Sequence, residues 1–315
     1  MKVGFIGLGN VGGKLSGSLL RNGVELRVHD LNEDFVKAKV AAGALAGGSP
    51  AQMMRECDSV ITCLPSPAAS AAVLQEMLPE VGPGKIWMEM STTDEAEVKR
   101  IGAEVIARGG AAVDCPVSGG CHRADTGNIS IFAGCERATF ERILPLLTIM
   151  GRRVLHTGDL GSASVLKVLT NFLATANLVS VAEALTVAKG AGMDLGVAYE
   201  AMAISSGTSF VHETEGQVIL NGSRDISFTM DLVAKDIGLF QEVADRAGVP
   251  LELNPLLISI FQDGISRFGP RELSPNIIKR LEEATGLDVT APGFPAEMVD
   301  DEPEERGAEV TVKRG

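Results

Sequence analysis

The sequence has no block of basic residues and no Cys-x-x-Cys pair, and these absences exclude two classes of protein. Its 315 residues carry a formal net charge of −13. A nucleic-acid partner is therefore not expected, because binding to a phosphate backbone needs clustered Lys and Arg. The five cysteines and four histidines are scattered without zinc-ligand spacing, so no metal site is expected. An odd number of cysteines in a large chain indicates reduced, mostly buried thiols.

We also expect neither a secretory leader nor a membrane span. The chain opens on an apolar strand pattern, MKVGFIGLG, rather than on a charged segment, an apolar stretch and a cleavage site. Its longest apolar stretch, from Phe172 to Val187, is interrupted by Asn177 and Glu183, whereas a span needs about 20 predominantly apolar residues. We interpret this stretch as a buried helix, and we expect no membrane partner and a cytoplasmic location.

Two different patterns divide the chain. The first half alternates short β-branched runs with helical periodicity, which predicts an α/β domain with a doubly wound parallel sheet of Rossmann type. From Ser162 the periodicity is helical and begins with one long stretch to Ala191. We therefore expect a Rossmann domain over residues 1–161, an all-α domain entered through the long helix over 162–290, and an acidic, flexible extension over 291–315.

A glycine motif directly follows the first predicted strand and opens the first predicted helix. It matches the G-x-G-x-x-G fingerprint of dinucleotide-binding folds. The motif consists of Gly7, Leu8, Gly9, Asn10, Val11 and Gly12. In this fingerprint the first glycine permits the tight turn, the second lets the backbone approach a pyrophosphate, and the third allows close helix–strand packing. The helix N-terminus adds N–H donors and a partial positive charge, so the motif predicts a dinucleotide cofactor.

The second predicted strand ends in Asp30, whose carboxylate can accept hydrogen bonds from the ribose hydroxyls of the cofactor. The same charge would repel a 2′-phosphate, and no arginine follows it, so NAD is favoured over NADP. Leu64 and Pro65 close the third strand and Thr92 follows the fourth, where each could contact the cofactor. These two segments fit helix caps equally well.

Four motifs occur in order across roughly residues 1–270: FIGLGNVG, DCPVSGG, GSASVLK followed by an asparagine, and a Lys-Asp pair. Together they resemble the β-hydroxyacid dehydrogenases, the family of 3-hydroxyisobutyrate dehydrogenase and tartronate semialdehyde reductase. The resemblance implies an NAD-dependent enzyme that interconverts a short, anionic 3-hydroxy acid such as 3-hydroxyisobutyrate with its semialdehyde. It assigns NAD to residues 1–161, and substrate binding and oligomerisation to residues 162–290. The apolar long helix indicates burial against another helical domain, so a homodimer or homotetramer is expected.

The resemblance also implies roles for individual residues. Lys167 corresponds to the acid/base of the family, and burial in an apolar helix would favour the neutral amine that takes the hydroxyl proton. Asn171, four residues later on the same helix face, is expected to orient the substrate, and Lys235 to bind the nicotinamide end of the cofactor. A glycine-rich loop after a predicted strand can point N–H groups and a hydroxyl at the substrate carboxylate. This loop consists of Ser118, Gly119 and Gly120.

The sequence departs from the family pattern directly after this loop, where Cys121, His122 and Arg123 stand in place of small residues. Arg123 is a candidate for a second anion contact, which would favour a sulfonate or a second carboxylate in the substrate. The alternative is that these side chains face solvent. In the helical domain, Phe210 or His212 is a candidate for tuning specificity.

Other functions fit the sequence less well. An oxidative decarboxylase like 6-phosphogluconate dehydrogenase pairs its lysine with a following histidine and asparagine, whereas Leu169 and Thr170 precede Asn171 here. Imine reductases and non-catalytic dinucleotide-binding scaffolds usually lack the lysine that this chain has at position 167. Within the family, the substrate stays open among 3-hydroxyisobutyrate, tartronate semialdehyde, succinic semialdehyde, a hydroxy-sulfonate and a β-hydroxy amino acid.

Overall fold

The structure, a computed structural model, describes residues 1–312. The chain forms two compact units: Met1–Lys167 together with the segment that starts at Asp300, and Val168–Val299. The division therefore falls a short way into the long helix that begins at Ser162, close to the predicted boundary. The last three residues of the predicted C-terminal extension lie outside the described residues.

One sheet forms the centre of the first unit. Every residue of its central strands is buried, as expected for parallel strands that are covered on both faces. The strands are β1 (Val3–Ile6), β2 (Leu26–His29), β3 (Leu45–Ala46), β4 (Ser59–Thr62), β5 (Ile86–Glu89), β6 (Ala111–Asp114), β7 (Val117–Ser118), β8 (Ile129–Gly134), β9 (Gly151–Gly158) and β10 (Ala308–Glu309).

The strand order along the sheet is β3-β2-β1-β4-β5-β6-β8-β9-β10, and β7 pairs with β8 off this path. The first six strands run parallel in the order 3-2-1-4-5-6 of the Rossmann fold. β8 is antiparallel to β6, and β9 and β10 continue parallel to β8. The predicted Rossmann fold is confirmed, with the addition that the sheet is mixed because its last strands reverse direction.

Polar side chains cap most of the helices that connect these strands. Asn32, Ser49, Ser66 and Asp94 each accept a hydrogen bond from a backbone N–H in the first turn, which satisfies a donor that has no partner within the helix. The helices of the first unit are α1 (Gly12–Arg21), α2 (Glu33–Ala41), α3 (Pro50–Glu56), α4 (Pro67–Met77), α5 (Glu95–Ala107), α6 (Gly120–Asp125) and α7 (Arg137–Met150).

The core of the first unit lies on both faces of the sheet. Successive residues of a strand point to opposite faces, so Phe5 packs with the apolar cluster that includes Leu15, whereas Ile6 packs with the cluster that includes Trp87. The Trp87 indole N–H donates a hydrogen bond to Thr62 at 3.0 Å. These two layers fix the strands, so the carboxyl ends of β1, β2, β4, β5 and β6 lie along one sheet edge.

The second unit is all-helical, as predicted. Leu178, Val181 and Leu185 of its first helix pack with Val233 and Phe261 in one apolar cluster. The helices are α8 (Ser162–Gly190, which starts in the first unit), α9 (Leu195–Ala203), α10 (Phe210–Glu213), α11 (Glu215–Asn221), α12 (Met230–Ala247), α13 (Leu253–Phe268) and α14 (Lys279–Thr285), with a 3-10 turn at Ser274–Ile278.

Helix α8 is long and apolar enough to cross a membrane by length and composition alone, with a mean hydropathy of 1.5 over its most apolar window. A core helix of a globular unit has the same properties, so this observation by itself does not identify a span. About a third of the apolar part of α8 is buried, and Leu178 and Leu185 pack in the apolar cluster of the helical unit.

The C-terminal segment differs from the predicted flexible extension. The Ala291 N–H donates to the Leu220 carbonyl at 2.8 Å in the helical unit. Beyond Asp300 the chain returns to the first unit, where β10 adds a parallel strand beside β9. An acidic composition predicts disorder. Here the acidic side chains form ion pairs with the first unit, such as the one between Glu309 and Arg137.

A buried ion pair ties the end of α11 to α14. The Arg224 guanidinium donates to both carboxylate oxygens of Glu282, at 2.7 and 2.8 Å, and to the Asn276 side chain at 3.1 Å. Arg224 is buried and has a φ of +58°, which a residue with a side chain adopts only when its surroundings stabilise it. The helical unit thus depends on this contact for the path of the chain after α11.

We expect the substitution Arg224→Met to lower the free energy of unfolding of the helical unit by about 3–5 kcal/mol, because it removes the guanidinium partner of the largely buried Glu282 carboxylate. Urea unfolding followed by circular dichroism measures this loss. The control is Arg271→Met, which removes an exposed ion pair with Asp231 and should cost less than about 1 kcal/mol. Equal losses in the two variants would contradict the assigned role of Arg224.

Candidate active site

The loop between β1 and α1 has the geometry of a phosphate cradle. Gly7 has a φ of +96°, and a Cβ there would overlap the Cys63 carbonyl, while a Cβ at Gly12 would overlap the Gly7 carbonyl. Both positions therefore exclude side chains. At Gly9 no atom lies within 4 Å of an added Cβ, so the backbone there is open to a ligand. The N-terminus of α1 follows directly and offers N–H donors to an anion.

Asp30 stands at the end of β2, beside the glycine loop. One carboxylate oxygen accepts the Leu8 N–H at 2.6 Å, and the other accepts the Asn32 N–H at 2.8 Å. The carboxylate thus fixes the loop, and each oxygen keeps a second lone pair for a ribose hydroxyl. The open backbone at Gly9, the helix N-terminus and this carboxylate together fit the pyrophosphate and adenosine ribose of NAD.

A chain of hydrogen bonds links the ends of β4 and β5. The Leu64 N–H donates to the Ser91 hydroxyl at 2.7 Å, and the Ser91 N–H donates to the Glu89 carboxylate at 2.8 Å. Glu89 is completely buried, and this burial raises the pKa of its carboxyl group, while hydrogen bonds from Ser91 lower it. Glu89 therefore holds the loop that carries the predicted cofactor residues Leu64 and Pro65.

The sequence analysis missed Glu89, although a carboxylate at the end of a fully apolar strand is a signal that could have found it. Ser66 caps α4 by accepting the Ala69 N–H at 3.2 Å, so the segment that includes Leu64 and Pro65 does include a helix cap. Thr92 is half-buried directly after Ser91. The cofactor roles of Leu64, Pro65 and Thr92 stay predictions.

The predicted substrate loop lies between β7 and α6. Ser118 pairs with Ser130 of β8, and the next two residues have positive φ angles, +129° at Gly119 and +87° at Gly120. Such backbone favours glycine because a side chain is strained there. The His122 ring lies over the loop, since a Cβ at Gly120 would come within 2.8 Å of its Cε1 atom. Burial lowers the pKa of His122, and the charge of Arg123 adds to this effect.

Asp114, the last residue of β6, holds the start of helix α8. Its carboxylate accepts the N–H groups of Gly161 and Ser164 at 2.7 Å each, and the Ser164 hydroxyl at 3.0 Å. Burial raises the pKa of Asp114, and these hydrogen bonds lower it. The sequence analysis quoted Asp114 within a motif but gave it no role, because the contact joins distant parts of the chain. Lys167 lies one turn beyond Ser164 and is only 9% exposed, as predicted for the candidate acid/base.

In the helical unit, Asp236 brings two predicted site residues together. Its carboxylate accepts a hydrogen bond from the Asn171 amide and forms a 2.7 Å ion pair with the Lys235 ammonium group. Asp236 is only 2% exposed, so its charge is held by these partners. The sequence analysis named Asp236 only as the neighbour of Lys235, and its contact with α8 required the tertiary structure.

Two of the remaining candidates, Arg123 and His212, have partners within the protein. Arg123 forms an ion pair with Glu302 at 3.6 Å. His212 is completely buried, stacks on the Tyr199 ring at 4.4 Å and contacts the Tyr199 carbonyl at 3.0 Å through Nε2. This packing makes His212 a core residue of the helical unit, whereas Phe210 is exposed.

Among residues 1–312, no group of three or more potential ligands is arranged for a metal ion.

Comparisons with known proteins agree with this geometry. The family described as the NAD binding domain of 6-phosphogluconate dehydrogenase matches residues 2–158, and the one described as NAD-binding of NADP-dependent 3-hydroxyisobutyrate dehydrogenase matches residues 161–281. A 2-(hydroxymethyl)glutarate dehydrogenase of Eubacterium barkeri is 32% identical over 294 residues, covering 92% of this chain and 98% of that protein. An NAD-dependent L-serine dehydrogenase of Pseudomonas aeruginosa is 32% identical over 294 residues, covering 90% and 98%.

A solved structure supports the same conclusion. The 3-hydroxyisobutyrate dehydrogenase of Salmonella typhimurium superposes with a TM-score of 0.80 at 28% identity, over 89% of this chain and 99% of that one. The Rossmann unit with its G-x-G-x-x-G loop, the helical unit and these relatives together identify the chain as an NAD-dependent dehydrogenase. Within this class, the chain belongs to the β-hydroxyacid dehydrogenase family, whose members act on the hydroxyl group of short 3-hydroxy acids. The predicted family and the NAD cofactor are confirmed.

We expect Gly9→Ala to weaken NAD binding at least about tenfold without loss of stability, because the added methyl group meets no protein atom but occupies the approach of the pyrophosphate. Titration calorimetry gives the Kd and thermal unfolding the stability. Gly82→Ala is the matched control, since its Cβ also meets nothing within 4 Å. By contrast, Gly12→Ala should lower the stability itself. Parental NAD affinity in Gly9→Ala would contradict the cradle.

Proposed function

We propose that this chain is an NAD-dependent oxidoreductase that interconverts a short 3-hydroxy acid and its semialdehyde, with Lys167 as the acid/base. The observation that carries this proposal is the buried lysine on a helix whose start is held by the Asp114 carboxylate. Lysine side chains are mostly exposed in proteins, so a buried lysine on a fixed helix is a candidate for a functional role.

We assign proton transfer to Lys167, which takes the proton of the substrate hydroxyl in oxidation and returns it in reduction. NAD, when bound, supplies the hydride chemistry at the carbon that carries this hydroxyl. Asn171 orients the substrate, while Asp236 keeps its amide in place. The loop of Ser118, Gly119 and Gly120 binds the substrate carboxylate through its hydroxyl and N–H groups.

We assign the cofactor contacts to the loops that follow β1, β2, β4 and β5, and to Lys235. The backbone from Gly7 to Gly12, including Leu8, Asn10 and Val11, holds the pyrophosphate, and Asp30 accepts the ribose hydroxyls. The negative charge of Asp30 supports NAD over NADP, although one matching family is described as NADP-dependent. Leu64, Pro65 and Thr92 line the adenosine-to-nicotinamide path, and Lys235, paired with Asp236, binds near the nicotinamide end.

The substrate belongs to a narrow chemical class. The relatives are named for 2-(hydroxymethyl)glutarate, L-serine and 3-hydroxyisobutyrate, which all carry a carboxylate and a hydroxyl group on the β carbon. The substrate of this chain is therefore proposed to have the same two groups. Tartronate semialdehyde, succinic semialdehyde, a hydroxy-sulfonate and a β-hydroxy amino acid are the alternatives. The cytoplasmic location stays a prediction.

The proposed reaction is tested by formation of the reduced cofactor at alkaline pH against a panel of 3-hydroxyisobutyrate, the hydroxy acids that correspond to the two semialdehydes, the hydroxy-sulfonate and the β-hydroxy amino acid, with NAD and NADP in parallel. We expect turnover with NAD on at least one 3-hydroxy acid, because the site combines a carboxylate-binding loop with a candidate base. Simple alcohols without a carboxylate serve as the control and should not react. Turnover of none of the acids, by a protein that binds NAD, would contradict the proposed function.

We expect Lys167→Met to lower kcat by about 10²–10⁴-fold, because it removes proton transfer in the transition state. The Kd of NAD should stay within twofold, since the substitution leaves the glycine loop intact. Lys189→Met is the matched control, because it removes a lysine from the far end of the same helix. Unchanged turnover in Lys167→Met would assign the proton transfer to another group or leave a dinucleotide-binding scaffold as the function.

A homodimer or homotetramer is also proposed, on the basis of apolar side chains that α8 exposes. Leu173 is 58% exposed and Val187 is 70% exposed. A partner that covers these two exposed apolar side chains would remove them from water.

We expect the double substitution Leu173→Glu and Val187→Glu to lower the oligomer mass, because charges on this face would be desolvated in an interface. Light scattering after size exclusion measures the mass of parent and variant. Ile106→Glu is the control, since it places a charge on an exposed apolar residue of α5 in the first unit. A parent protein that is monomeric would contradict the proposed assembly.

A further inference from the structure

The C-terminal segment 300–312, which we call the strap, lies beyond both matching families, the later of which ends at residue 281. It follows the surface of the first unit, and its five acidic residues at positions 300–305 include Asp300, Glu302 and Glu304. The structure places all three carboxylates against polar groups of α1, α6 and the residues that follow α6.

Asp300 and Glu302 contact the end of α6. Asp300 accepts hydrogen bonds from the Thr126 hydroxyl and from the Asn128 side chain, the latter at 2.7 Å. The same Asn128 amide donates to the Glu302 carbonyl at 2.9 Å, and Glu302 pairs with Arg123. Asn128 is buried, so the strap supplies hydrogen-bond acceptors to a side chain that water does not reach. The strap therefore covers the end of α6.

Glu304 contacts the end of α1. The Glu304 carboxylate accepts the Arg21 guanidinium at 3.1 and 3.2 Å and the Ser18 hydroxyl at 3.4 Å. Arg21 also donates to the backbone carbonyl of Asp125, the last residue of α6. The strap thus bridges α1, which starts at the glycine loop, and α6, which starts at the predicted substrate loop.

Separate contacts anchor the strap further along. Its Gly307 N–H donates to the Thr148 carbonyl at 2.8 Å, and β10 pairs with β9. Glu305 pairs with Arg152 at 2.9 Å on this side. The contacts to α6 and the anchor at β9 therefore rest on different residues and can be altered independently.

Helix α6 needs this external support. It is only 6 residues long, begins after Gly119, and has no side chain that caps its N-terminus. A helix this short is unstable by itself in water. We propose that Asp300, Glu302 and Glu304 are positioning residues that hold α6 against α1 and thereby keep the adjoining substrate loop in its binding geometry.

This proposal rests on the proposed function, and kinetics of the full-length protein test it. We expect Asp300→Ala to raise the KM for the 3-hydroxy acid at least about fivefold, while the Kd of NAD stays within twofold. Amide hydrogen exchange of residues 120–125 should accelerate about tenfold or more. Asp300→Asn keeps an oxygen acceptor for Thr126 and Asn128, so it should restore most of the parental KM.

The matched control is Glu305→Gln, which weakens the strap at Arg152 without touching α6. A purely structural strap would lower thermal stability in both variants and leave KM unchanged in both, and this result would overturn the proposal. Parental exchange rates in residues 120–125 of Asp300→Ala would overturn it irrespective of turnover. If the parent protein converts no 3-hydroxy acid, the proposed function fails, and the exchange measurement still decides whether the strap holds α6.

Discussion

The hydrogen bonds from the Gly161 and Ser164 N–H groups to the Asp114 carboxylate hold the start of α8, and the candidate acid/base depends on them. The first N–H groups of a helix have no partners within it, so a buried helix start needs acceptors from elsewhere. Asp114 supplies them from the end of β6, and its charge suits the positive end of the helix dipole. Lys167, one turn further on, is therefore positioned by the sheet through a rigid contact.

Carboxylates perform the same task at other strand ends. Asp30 after β2 holds the Leu8 N–H, and Glu89 at the end of β5 holds the Ser91 N–H, which in turn orders the Leu64 loop. Each of these contacts connects a loop to a strand that is packed between the apolar clusters on the two faces of the sheet. Sites supported in this way by rigid elements keep their geometry better than sites carried by loops alone. The strap extends this support to α6, which lacks a cap of its own.

Much of the site could be predicted because the signals are local. The spacing of Gly7, Gly9 and Gly12 after an apolar strand is sufficient to predict the loop, and Lys167 stands out as a charge in an apolar helix. The role of Glu89 could not be predicted in the same way, because its partners come from a neighbouring strand and loop. His212 shows the converse, since the sequence analysis named it as a candidate for tuning specificity, whereas its ring stacks on Tyr199 in the core.

The sequence by itself determined the Rossmann unit, the helical unit, the NAD cofactor and the family. Periodicity, glycine spacing and short motifs are local properties, so they can be identified before any tertiary contact is known. The tertiary structure alone decided how the motifs are joined. Asp114 reaches α8, Asp236 reaches Asn171, and an acidic tail that composition predicts to be flexible is ordered by Arg21 and Arg123. The physical reason is that the role of a charged or polar group depends on the partner with which it forms a hydrogen bond or an ion pair. In each of these cases that partner lies far away in the sequence.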